Sequence, residues 1–81
     1  MHERTLAADL LAGAGEAAAR RGARLSSAHV RIGDLVDPDS LRLHWDLLSG
    51  GIDLEVEVGG GNPLSSEARL ISVRVEDRGC A

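Results

Sequence analysis

Residues 37–58, DPDSLRLHWDLLSGGIDLEVEV, hold a helix with its start and stop signals and the strand that follows it, and their reading decides the fold. Asp37 is a favoured N-cap residue, and Pro38 suits the first helical position, where a missing N–H is no loss. Leu41, Trp45 and Leu48 then fall on one helical stripe, with His44 as a boundary residue at its edge, until Gly50 and Gly51 stop the helix. In IDLEVEV the period changes to two. Ile52, Leu54, Val56 and Val58 point inward and Asp53, Glu55 and Glu57 outward, which predicts a strand with one buried face and one solvated, acidic face.

Upstream, AHVRIGDLV (28–36) predicts another strand, with Ala28, Val30 and Ile32 on one face, His29 and Arg31 on the other, and Gly33 at its end. Before it, Thr5 to about Arg21 reads as a helix, since Leu6, Leu10, Ala14, Ala17 and Ala18 recur at helical spacing without proline. Thr5 or Glu3 can cap its start, and Gly22 stands where a C-terminal cap belongs, after Arg20 and Arg21. Gly13 and Gly15 each weaken this helix by roughly 1 kcal/mol relative to alanine, so it must be held by packing its Leu/Ala stripe on a sheet.

Downstream, GGGNPLSS (59–66) breaks the chain and ARLISVRVED (68–77) resumes a strand, with Ile71, Val73 and Val75 expected on one face. The order α-β-α-β-β, with an apolar stripe on every element, predicts an α+β fold: two helices packed on one face of a three-stranded mixed sheet. The helical crossover allows the first two strands to be parallel, and the last two are expected to form a hairpin.

With 81 residues the chain is expected to be a single domain, 1–81, whose core is aliphatic because Trp45 is its one aromatic residue. A net charge of −4, with basic residues scattered, argues against nucleic acid and anionic membrane as partners. No apolar run reaches the length of a membrane span and the first residues lack a signal-peptide core, so a cytoplasmic location is expected. Cys80 is the sole cysteine, which excludes an intrachain disulfide and a multi-thiolate zinc site and leaves an exposed thiol.

The chemistry concentrates at MHE, residues 1–3. The amine of Met1 and the amide nitrogen of His2 close a five-membered ring on a metal ion, and that amide with its own imidazole closes a six-membered one. The amide or the carboxylate of Glu3 supplies a fourth donor. Square-planar nitrogen ligation suits Ni(II) and Cu(II) rather than zinc or magnesium, and because cytoplasmic copper is held as Cu(I) by soft ligands, nickel is the expected ion. A bulky second residue also favours retention of Met1. No phosphate loop or local catalytic motif competes, since 59–61 open no helix, so the chain is not expected to be an enzyme.

Three stretches, MHERTLAADLL (1–11), VRIGDLVDPDSLRLHWDLL (30–48) and EARLISVRVED (67–77), resemble the HypA family of nickel metallochaperones in order and over most of the chain. The resemblance implies Ni(II) bound by the N-terminal amine of Met1 with His2 and Glu3, and delivered with a HypB-type GTPase to the large subunit of NiFe hydrogenase, or in some members to urease. The family's acid before its second helix corresponds to Asp37, which also explains itself as a cap. The family's zinc ribbon, with two Cys-x-x-Cys pairs, has no counterpart here: a short loop near 59–66 stands in its place, so no zinc is expected and the nickel domain is expected to be whole. The competing expectation is a metal-free interaction module that docks on hydrogenase-maturation proteins.

Overall fold

A computed structural model describes residues 3–59 and 68–77. Helix α1 (Glu3–Arg20) leads into β1 (Ala23–Ile32), α2 (Pro38–Ser49), β2 (Asp53–Val58) and β3 (Ala68–Asp77). This is the expected α+β class, a three-stranded mixed sheet with both helices packed on one face. The turn from α1 to β1 uses Gly22 at φ 63°, and α2 ends on Gly50 at φ 76°, whose N–H donates to the Asp46 carbonyl. Both are left-handed conformations in which glycine has no Cβ to clash.

The strand order is β2-β1-β3, so β1 is central. It pairs in parallel with β2, from Ser27–Asp53 to Ile32–Val58, and antiparallel with β3, from Ala23–Asp77 to Ile32–Ala68. The expected hairpin between the last two strands is therefore wrong: β2 and β3 lie on opposite sides of β1. The lengths of the strands explain the choice. β1 and β3 have 10 residues each and β2 has 6, so β3 finds more backbone partners along β1 than along β2. β1 also begins earlier than expected, at Ala23 directly after the turn, because Ser26 forms a bulge that breaks the alternation of ARLSS.

A second bulge corrects the reading of β3. His29 registers with Ser72 and Val30 with Leu70, so Ile71 has no partner on β1. The phase shifts there. Ala68, Leu70 and Val73 pack on the core, whereas Ile71, expected inward, is 43% exposed. The core joins Ala7, Leu10 and Ala14 of α1, Ala28, Val30 and Ile32 of β1, Val36 of the connection that follows it, Leu41 and Trp45 of α2, and Leu54 of β2. Alanines on α1 bring that helix close to the sheet, and the bulk comes from Trp45, which is fully buried with its indole N–H donating to the Ile52 carbonyl at 2.7 Å. The inward stripes thin out toward their ends: Leu48 is 45% and Val58 56% exposed, although both were expected inside.

Helix α2 also guards the edge of β2. Gly59 N–H bonds to the Ile32 carbonyl on β1, so the backbone groups of alternate residues 57, 55 and 53 face β1 and those of 54 and 52 face outward. Those outward carbonyls are taken by α2, Leu54 by Arg42 Nη1 at 2.7 Å and Ile52 by Trp45 Nε1. Covering an edge in this way removes a template for unwanted pairing.

Candidate functional site

The two helix starts meet. Glu3 opens α1, Asp37 is the N-cap of α2 with extended backbone (φ −80°, ψ 112°), and the Asp37 N–H donates to Glu3 Oε2 at 3.2 Å. The Asp37 side chain is engaged in turn, Oδ1 accepting from the Asp39 N–H at 3.0 Å. The Glu3 carboxylate thus lies in the first turn of its own helix and against the start of the other. Both helix ends carry unsatisfied N–H groups and positive dipole potential, which favours carboxylates there.

Of the four residues singled out as metal ligands, Glu3 and Asp37 are brought together, while Met1 and His2 lie outside the described residues. The role of Asp37 as a cap is directly visible. Its Oδ1 is committed to the Asp39 N–H, and its own N–H to Glu3, so both carboxylates hold backbone donors at the start of α2. Among the described residues, no three His, Cys, Asp or Glu side chains gather as a metal site. Cys80 and the segment 60–66 also fall outside the described residues.

On the helix-free face of the sheet a second polar group forms, which sequence reasoning did not single out. Arg31 clamps Glu57 Oε2 through Nε at 3.1 Å and Nη2 at 2.8 Å, and His29 Nε2 is 3.0 Å from Glu57 Oε1. The Arg31 guanidinium, by hydrogen bond and by charge, holds the Glu57 carboxyl below its ordinary value; desolvation opposes this, and His29 adds a lesser effect in the same direction as Arg31. Alternation had placed His29, Arg31 and Glu57 on outward faces. What was missing is the parallel register, which sets Arg31 opposite Glu57. A shallow polar depression lined by Ser27, Arg42, Asp46, Asp53, Leu54, Glu55 and Arg74 lies at the start of β2, the opposite end of that strand from the one paired with Ile32.

No protein-family model and no curated protein matches this chain. The likeness to HypA therefore rests on the stretches quoted above. No helix among the described residues is long and apolar enough to cross a membrane.

Proposed function

We propose that this chain is a nickel metallochaperone of the HypA type, binding one Ni(II) through the Met1 amine, the His2 amide and imidazole, and Glu3. The observation that carries the proposal is the Glu3–Asp37 hydrogen bond, which holds the third residue of MHE against the start of α2 and beside the acid that the resemblance assigns to the nickel site. Ligands at the head of a chain suit a carrier, since they can be replaced stepwise by those of an acceptor. In this proposal the acceptors are a HypB-type GTPase and the hydrogenase large subunit, and the setting is cytoplasmic. Asp37 serves first as the cap and lends its carboxylate to the metal only as an outer donor.

Native mass spectrometry of untagged protein, with and without nickel, tests this reading, because it reports the presence of Met1 and the metal stoichiometry together. One nickel per chain with Met1 retained supports it, and an absence of bound nickel refutes it.

One observation favours the second reading, a metal-free module docking on maturation proteins: the contacts of Glu3 and Asp37 with backbone N–H groups give both carboxylates a structural purpose without metal. That module would bind its partners equally well with nickel, without nickel, and with a blocked N-terminus.

A further inference from the structure

The two edges of the sheet are treated differently. That of β2 is covered by Arg42 and Trp45, whereas among the described residues no side chain hydrogen-bonds to the backbone of β3, the outer strand on the other side. We infer that the free edge of β3 is where a second copy of this chain pairs, strand to strand and antiparallel, joining two sheets into one.

The strand complements itself. Arg69 and Glu76 both lie on the helix-free face, opposite Arg31 and Arg24 of β1, while Leu70 and Val75 lie on the core face, opposite Val30 and Leu25. An antiparallel pairing that sets Arg69 against the partner's Glu76 also sets Leu70 against the partner's Val75, and two-fold symmetry repeats both pairs. Every one of these residues then meets its counterpart on the correct face. The same register puts the exposed Ile71 beside the partner's Arg74, whose aliphatic stem can cover it.

Within one copy, Arg69 has an unfavourable neighbour. It registers directly with Arg31, and like charges facing one another across strands are destabilising. Arg31 is already committed to Glu57, and Arg69 has no acidic partner among the described residues. The partner's Glu76 supplies one. Inside the chain Glu76 holds only an exposed contact with Arg24 at 3.6 Å, of a kind that contributes little.

Sedimentation equilibrium of the full untagged chain over a wide concentration range tests this. The expected result is a reversible monomer–dimer equilibrium whose dissociation constant rises about tenfold in Arg69→Glu, since two symmetry-related ion pairs become repulsive. The double variant Arg69→Glu/Glu76→Arg should recover most of that loss. Hydrogen exchange on the wild-type chain needs no variant, and should show β3 amides slowing with concentration while those of β2 do not. A chain that stays monomeric throughout, a dimer indifferent to Arg69→Glu, a double variant no tighter than the single, or β3 exchange independent of concentration would each overturn the inference.

Discussion

The backbone N–H of Asp37 donates to the carboxylate of Glu3 at 3.2 Å across 34 residues of sequence, so the first turn of α1 and the N-cap of α2 are held as one unit. This contact ties the proposed metal ligands to the fold, and its energetic weight is separable from any metal. Asp37→Ala should lower the unfolding free energy by about 1 kcal/mol through loss of the cap, while Asp37→Asn should stay close to wild type. Glu3→Ala should cost about 0.5–1.5 kcal/mol by removing the acceptor of the Asp37 N–H. Urea unfolding of the metal-free chain measures all three, and a full cost for Asp37→Asn would show that its charge, not its capping, is what matters there.

Trp45 is expected to be the largest single contributor to the core. It is fully buried and its indole N–H is spent on the Ile52 carbonyl, so Trp45→Ala should cost about 3–5 kcal/mol, enough to unfold a domain of this size. Trp45→Phe keeps most of the volume but strands that carbonyl, at about 1–3 kcal/mol. Thermal melts followed by circular dichroism would show both. A Trp45→Ala variant melting within a few degrees of wild type would place the ring at the surface.

The helix at residues 38–49 was legible because its signals are backbone chemistry: an Asp cap, a proline at N1 and a glycine with positive φ at the end. Strand β2 was legible because strict alternation survives wherever one face is buried. The bulges at Ser26 and Ile71 were not, since an extra residue shifts the phase without a local signal in ARLSS or ARLISV. Nor was the position of β3, which depends on how many partners each strand offers. At the candidate site, residues 3 and 37 were singled out separately, one by chelate chemistry and the other by resemblance. Their direct contact is a product of helix packing, which no pattern in either segment encodes.

Gly15 lies inside α1, exposed, with nothing within 4 Å of where a Cβ would stand. Gly15→Ala should therefore raise stability by about 1 kcal/mol through helix propensity alone. A destabilised Gly15→Ala variant in chemical denaturation would reveal a contact at that position that the fold does not show.

The Glu57 cluster should make a pH-dependent contribution to stability. Because the folded-state pKa of Glu57 is depressed, its contribution is present above the ordinary glutamate range and is lost as pH falls through the lower folded value. The difference in stability between wild type and Glu57→Gln should accordingly be constant near neutrality, shrink in acid and weaken with salt. Carbon-detected NMR titration of Glu57 should give a midpoint below the usual value of about 4.3, moving up in Arg31→Met by more than in His29→Ala. An unchanged midpoint in Arg31→Met would remove the clamp as its cause.

Calorimetric titration with Ni(II), comparing the untagged chain with one whose Met1 amine is acetylated, asks directly whether that amine is a ligand. Binding has to displace protons from an amine of pKa about 7.7–8.0 and an imidazole near about 6.5, so the affinity of the untagged chain should strengthen as pH rises. It should bind one Ni(II) per chain, and both acetylation and His2→Ala should abolish that binding while leaving the circular dichroism spectrum intact. An acetylated chain that binds Ni(II) as tightly as the free one would contradict the site proposed at residues 1–3.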